Sequence, residues 1–165
     1  MKRKGIHKPT IEDIVELSGI ETLHPGGFAL TKRVAEVAAL KKGMKVLDVS
    51  SGRGTQAIYY AKNFGVNVTG VDLSNEMVTT AIENAKIANV QDKVSFVKGD
   101  SQELLFQDNS FDVVINECAV GIPDNSQKVL DEMARVLKRQ GTLVMHESIW
   151  RKKLNPEEKE DLSER

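Results

Sequence analysis

The segment Val46-Leu47-Asp48-Val49-Ser50-Ser51-Gly52-Arg53-Gly54-Thr55, followed by Val68-Thr69-Gly70-Val71-Asp72, leaves this chain few folds to choose from. An apolar run breaks at a glycine-containing turn, opens a helix and returns as a second run ending in a carboxylate. That is the layout of an α/β nucleotide-type site. Glycine suits the turn because φ > 0 carries no steric penalty there, and the missing Cβ lets the backbone lie against a ligand. Asp72 falls 20 residues after Gly52, where an acid can accept hydrogen bonds from two ribose hydroxyls. These spacings point to a ligand that contains adenosine.

A chain of 165 residues is enough for one core and too short for two ordinary domains. With 40% hydrophobic and 28% charged residues it has the balance of a globular protein, and a net charge of -1 gives no global pull toward nucleic acid or acidic membranes. No run approaches the roughly 18 apolar residues of a membrane span. Met1-Lys2-Arg3-Lys4 is basic, but Gly5, His7, Lys8 and Pro9 follow where a signal peptide needs an apolar run. Cys118 is the only cysteine, so no intrachain disulfide can form. The expectation is a cytoplasmic protein without nucleic-acid or membrane partners.

Apolar periodicity divides the chain into alternating helices and strands. Ile11, Ile14 and Val15 suggest a short first helix ending near Ser18-Gly19; Leu30, Val34, Val37 and Ala38 mark a second, stopped by Lys41-Lys42-Gly43. Met44 to Val49 is the first strand. A helix with Ala57, Ile58, Ala61 and Phe64 on its apolar face leads to Gly65 and the strand Val66 to Val71, which Asp72 closes. Met77, Ala81, Ile82, Ala85 and Ala88 mark a further helix that starts near Asp72 or Ser74 and precedes Asn89. Val94 to Lys98 and Phe111 to Asn116 are strands three and four. Asp124-x-x-Gln127 has the form of a capping box for a helix burying Val129, Leu130, Met133, Val136 and Leu137, and Thr142 to His146 is strand five. Strands joined through helices imply a parallel sheet with right-handed crossovers.

The ordered series, Asp48 closing strand one, Gly52 and Gly54 in the turn, Asp72 closing strand two, Gly99-Asp100 closing strand three and the Phe111 to Asn116 strand, resembles the class I S-adenosylmethionine-dependent methyltransferases. The likeness is strongest to the small-molecule, type 11 branch that includes the ubiquinone and menaquinone C-methyltransferases, and it runs from about Phe28 to Glu147. It implies a Rossmann-like α/β fold with strand order 3-2-1-4-5, helices on both faces, and S-adenosylmethionine as cofactor. It also implies that the turn, with Ser50, Gly52 and Gly54, contacts the methionine part, Asp72 the ribose, and Asp100 the adenine amine. The family's first glycine is replaced by Ser50, which keeps the turn if its φ stays negative.

Asp48, Leu73, Met77, Ser101 and Asn116 complete the expected cofactor contacts, and no metal is expected. Methyl transfer from a sulfonium is an in-line displacement, so alignment in a dry site is the main demand. His24, Glu117 and His146 are the candidates for a catalytic role, the histidines because imidazole titrates near neutral pH. His24 lies in Leu23-His24-Pro25-Gly26-Gly27, a turn able to fold over the cofactor as a lid. The expected organisation is residues 1–27 as a first helix and lid-like segment, 28–150 as the cofactor-binding domain, and 151–165 as the start of a C-terminal helix at Asn155-Pro156. The resemblance implies two further strands that this sequence does not reach. It therefore reads either as truncated, with strand five an open edge, or as a homodimer that covers that edge. The absence of an Asn/Asp-Pro-Pro-aromatic motif after strand four and the single thiol disfavour nucleic-acid bases and arsenic as acceptors, leaving a small metabolite. Alternative readings are an NAD-dependent oxidoreductase, whose ribose Asp72 would serve equally well, or a binding protein without turnover.

Overall fold

The computed structural model describes residues 22–148. The expected helices near Ile11 and from Asn155 lie outside them. Within this span the elements are α1 (Gly27–Val37), β1 (Lys45–Val49), α2 (Thr55–Phe64), β2 (Asn67–Asp72), α3 (Asn75–Ile87), β3 (Val94–Lys98), β4 (Phe111–Glu117), α4 (Ser126–Val136) and β5 (Leu137–His146). The strands form one sheet in the order β3-β2-β1-β4-β5, all parallel.

Central strands bury both faces, which is why β1 and β4 read as nearly continuous apolar runs. On one side Val46, Val68, Phe96, Val113 and Ile115 pack with Val34, Ala35, Ala57, Tyr60, Ala81 and Ala85 from α1, α2 and α3. On the other, Leu47, Val49, Val71 and Val114 meet Val129, Met133 and Val136 of α4. Full burial of one such side chain stabilises by about 1.5 to 3 kcal/mol.

Three local expectations need correction. In α1 the buried stripe is Thr31, Val34 and Ala35, while Val37 is 55% exposed, because the helix ends there and Ala39 turns left-handed at φ 50. The cap of α4 is Asn125, whose side chain accepts the Lys128 N–H at 3.1 Å, and Asp124 lies outside the helix. Strand five starts at Leu137 rather than Thr142: Phe111 pairs with Leu137 and Val113 with Thr142, so the chain bulges between them. Gly141 permits the bulge, since a Cβ there would sit 2.8 Å from the Asp112 carbonyl oxygen. Asp112 in turn accepts from Lys138 Nζ at 2.6 Å and the Lys45 N–H at 2.8 Å, bonds that hold its carboxyl below the usual range.

Candidate active site

The turn after β1 is held by backbone and by Asp72. Ser50 leaves the strand at φ 60, so the condition of a negative φ is not met and the turn is made with a left-handed serine, at a cost of roughly 1 to 2 kcal/mol. The Ser51 N–H donates to the Val71 carbonyl at 3.0 Å. Asp72 reaches across the strand ends, accepting the Gly52 N–H on Oδ2 at 2.8 Å and the Ser74 N–H on Oδ1 at 2.9 Å. Ser74, not Asp72, caps α3, through the Met77 N–H at 3.3 Å.

Beside this turn, at the carboxyl ends of β1 to β3, lies a crevice of about 360 Å³. That lies within the usual range of small-molecule sites. Its wall brings together Ser50, Asp72, Leu73, Asp100 and Ser101, as expected, with Val71, Gly99 and Gln102. The structure adds Ile122, Pro123 and Asp124 from the loop after β4, for which the sequence offered only a capping signal. Asp48, Gly52, Gly54, Met77 and Asn116 are not part of this wall. Asn116 is wholly buried and occupied structurally: its Nδ2 donates to the Val49 carbonyl at 2.9 Å and its Oδ1 accepts the Ala119 N–H at 3.1 Å.

Asp48 ends β1 with its side chain buried and Oδ2 without a hydrogen-bond partner. Burial first, then the carboxylates of Glu117 and Asp72, push its carboxyl well above the usual range, against a smaller opposing effect from the Ala57 amide. A raised folded-state pKa means that folding favours the protonated form. Stability is therefore undiminished below the unfolded pKa and falls as pH climbs toward the folded one. Asp48→Asn, which cannot ionise, is expected to melt higher than the parent chain, by a margin that widens from about pH 4 upward. Melting curves across pH check this; a margin independent of pH would remove the electrostatic account.

Glu117, at the end of β4, is the hub of a second group. Its side chain is 2% exposed. Oε1 accepts from the Tyr60 hydroxyl; burial and the Glu117 charge push that phenol upward, so it remains a donor. Oε2 faces three groups: His24 Nε2 at 3.1 Å, His146 Nε2 at 3.1 Å and the Thr31 hydroxyl at 3.2 Å. Thus the three candidates His24, Glu117 and His146, far apart in sequence, meet in one cluster. The sequence did not single out Tyr60 or Thr31, although Tyr60 lies one turn after Ala57 on the buried side of α2. The segment carrying His24 also covers the turn, since a Cβ on Gly52 would meet Leu23 Cδ1 at 2.9 Å.

A crevice at the strand ends, an acid closing β2 and the 3-2-1-4-5 order together define a nucleotide-cofactor enzyme class of the doubly wound type. The model of a methyltransferase domain matches residues 40–164, and the chain belongs to the class I S-adenosylmethionine-dependent methyltransferase family. It is 38% identical over 125 residues to 27-O-demethylrifamycin SV methyltransferase of Amycolatopsis mediterranei, covering 75% of this chain and 46% of that protein. To demethylmenaquinone methyltransferase of Staphylococcus aureus it is 42% identical over 120 residues, 71% of this chain and 48% of the relative. Among solved structures, Haemonchus contortus phosphoethanolamine N-methyltransferase 2 in complex with S-adenosyl-L-methionine superposes with a TM-score of 0.80 at 29% identity, covering 93% of this chain and 37% of that one. The chain spans about half the length of the curated relatives it matches.

Proposed function

We propose that the protein transfers the methyl group of S-adenosylmethionine to a small-molecule acceptor by in-line displacement. The observation that carries this reading is the crevice of nucleoside size at the strand ends, walled by Ser50, Asp72, Asp100 and Ser101, with the buried and unpartnered Asp48 Oδ2 in β1 beside the turn. Asp48, whose carboxyl is pushed upward by burial and by the nearby Glu117 and Asp72 charges, is stabilised in its charged form by a cationic ligand, and S-adenosylmethionine carries both an ammonium and a sulfonium.

In this reading Asp72 accepts the ribose hydroxyls with the oxygen lone pairs left over from Gly52 and Ser74. Asp100 and Ser101 face the base, and Leu73 and Ile122, 67% and 79% exposed, cover its apolar face once it is seated. Asp48 and the turn hold the methionine end. When bound, the cofactor supplies an electrophilic methyl group, while this chain's residues orient it and keep water from it. The Leu23 to Gly27 segment serves as a lid on the turn, supported by the contact of Leu23 over Gly52.

Among the described residues no helix is long and apolar enough to cross a membrane. A cytosolic setting is part of the proposal, supported by the single, unpaired Cys118. β5 is an edge of the sheet among these residues, open to a second copy or to further strands of a longer chain. Calorimetry tests the central point. S-adenosylhomocysteine is expected to bind at least tenfold more tightly than NAD, and equal or tighter binding of NAD would overturn the assignment.

A further inference from the structure

The His24, Glu117 and His146 cluster has more order than three neighbouring polar side chains need. Tyr60 takes Oε1 of the carboxylate and thereby turns Oε2 toward both imidazoles. His24 is anchored from behind, its Nδ1 3.0 Å from the Pro25 carbonyl oxygen, and His146 has its Nδ1 3.2 Å from Cys118 Sγ. Both rings therefore present Nε2 to the same oxygen. All three ligand atoms lie within 4.8 Å of one another.

The proton inventory shows what this arrangement lacks. A carbonyl can only accept, so Nδ1 of His24 carries its proton toward Pro25, and Nε2 of the neutral ring is a lone pair. That lone pair faces a carboxylate oxygen at 3.1 Å. The Thr31 hydroxyl, 3.1 Å from Nε2 and 3.2 Å from Oε2, has one hydrogen and can satisfy only one of them. A cation between the lone pairs removes the conflict. Metal–ligand bonds of about 2.0 to 2.2 Å place neighbouring ligand atoms about 3 Å apart at right angles and about 3.4 Å apart in a tetrahedron, near both Nε2···Oε2 separations of 3.1 Å. The two imidazole nitrogens, within 4.8 Å of each other, close on the ion by small side-chain rotations. Backbone-carbonyl support of the remote ring nitrogen is also the usual outer contact of a metal-bound histidine.

We propose that His24 Nε2, His146 Nε2 and Glu117 Oε2 bind a divalent first-row transition ion. Two imidazoles and one carboxylate suit zinc, ferrous iron or cobalt rather than magnesium or calcium, and three protein ligands leave coordination positions for other molecules. His146 is the most accessible ligand, its side chain 18% exposed against 1% for His24, so exchange with solvent occurs from the β5 side. If the methyl-transfer reading holds, an oxygen or sulfur acceptor is held here as its anion; ion binding itself does not depend on that reading.

The test titrates the metal-stripped chain with Zn²⁺ by calorimetry and with Co²⁺ by visible absorption, alongside a titration with S-adenosylhomocysteine. One ion per chain is expected, with a tetrahedral or five-coordinate cobalt spectrum. His146→Ala and Glu117→Gln are each expected to lose tenfold or more in affinity, and Cys118→Ser to keep the spectrum without a thiolate contribution. Glu117→Gln retains volume and a hydrogen-bond acceptor for Tyr60, so it guards against a loss that merely reports unfolding. Absence of a stoichiometric ion, or equal affinity in both ligand variants, overturns the inference and leaves a proton as the bridging cation. Failure to bind S-adenosylhomocysteine with the ion still bound would sink the methyl-transfer reading and spare the metal site.

Discussion

Alanine at position 54 is expected to cost the fold on the order of 3 kcal/mol. Gly54 caps α2 at φ 76, and a Cβ there would lie 2.5 Å from Phe96 Cζ and 2.9 Å from Ala81 Cβ. A terminal ring atom usually yields by rotation, but this ring is wedged on a second side: a Cβ on Gly70 would meet Phe96 Cδ1 at 2.5 Å. Phe96 is held between two glycines and is 8% exposed, so relief requires a shift of β3 or α2. Overpacking of this kind costs about 1 to 3 kcal/mol, and the left-handed backbone adds roughly 1 to 2. For a domain of this size, 3 kcal/mol lowers Tm by about 6 to 12 °C. Gly43 provides the control, because it sits at φ 86 with nothing within 4 Å of a Cβ. Gly43→Ala therefore carries only the backbone penalty. Equal melting points for the two variants would show that Phe96 gives way and that the wedge has no energetic weight.

What the sequence revealed was whatever is encoded locally. Asp48, the glycine turn, Asp72 and the Ser74 cap occupy successive strand ends and turns, and each has a signature within a few residues. Strand order and the crevice around Asp72 and Asp100 then followed from the family resemblance carried by those residues. The structure departs from local signals where distant contacts decide. Leu137 continues the apolar spacing of Val129, Met133 and Val136 and so reads as helix, but pairing with Phe111 draws it into β5. Asn116 stands where a ligand contact is expected, yet the Val49 carbonyl and the Ala119 amide claim its side chain. Met77 has the right spacing after Asp72, whereas the start of α3 leaves it off the crevice wall. The meeting of His24, Glu117 and His146 had no local trace at all. Each was a candidate by chemistry alone, and only the parallel pairing of Glu117 with His146 and the fold of the Leu23 to Gly27 segment over the turn unite them.

Asp72→Ala is expected to weaken S-adenosylhomocysteine binding by about 2 to 4 kcal/mol, roughly 30- to 1000-fold. Two hydrogen bonds from ribose to a charged acceptor are lost at roughly 1.5 to 3 kcal/mol each, less what water restores. The structure gives Asp72 a second task, because it also accepts the Gly52 and Ser74 amides, and removing it loosens the turn that the cofactor meets. The two roles separate by comparison with Ser74→Ala. That variant removes the α3 cap, worth about 1 kcal/mol of stability, and leaves both oxygens of Asp72 in place. If Asp72 only anchors the turn, the two variants lose affinity in proportion to their loss of Tm. If it also holds ribose, Asp72→Ala loses far more affinity than its melting point accounts for, measured well below either transition. A dissociation constant unchanged in folded Asp72→Ala would return this carboxylate to a purely structural part, and with it the strongest residue-level link between the turn and an adenosine ligand would be gone.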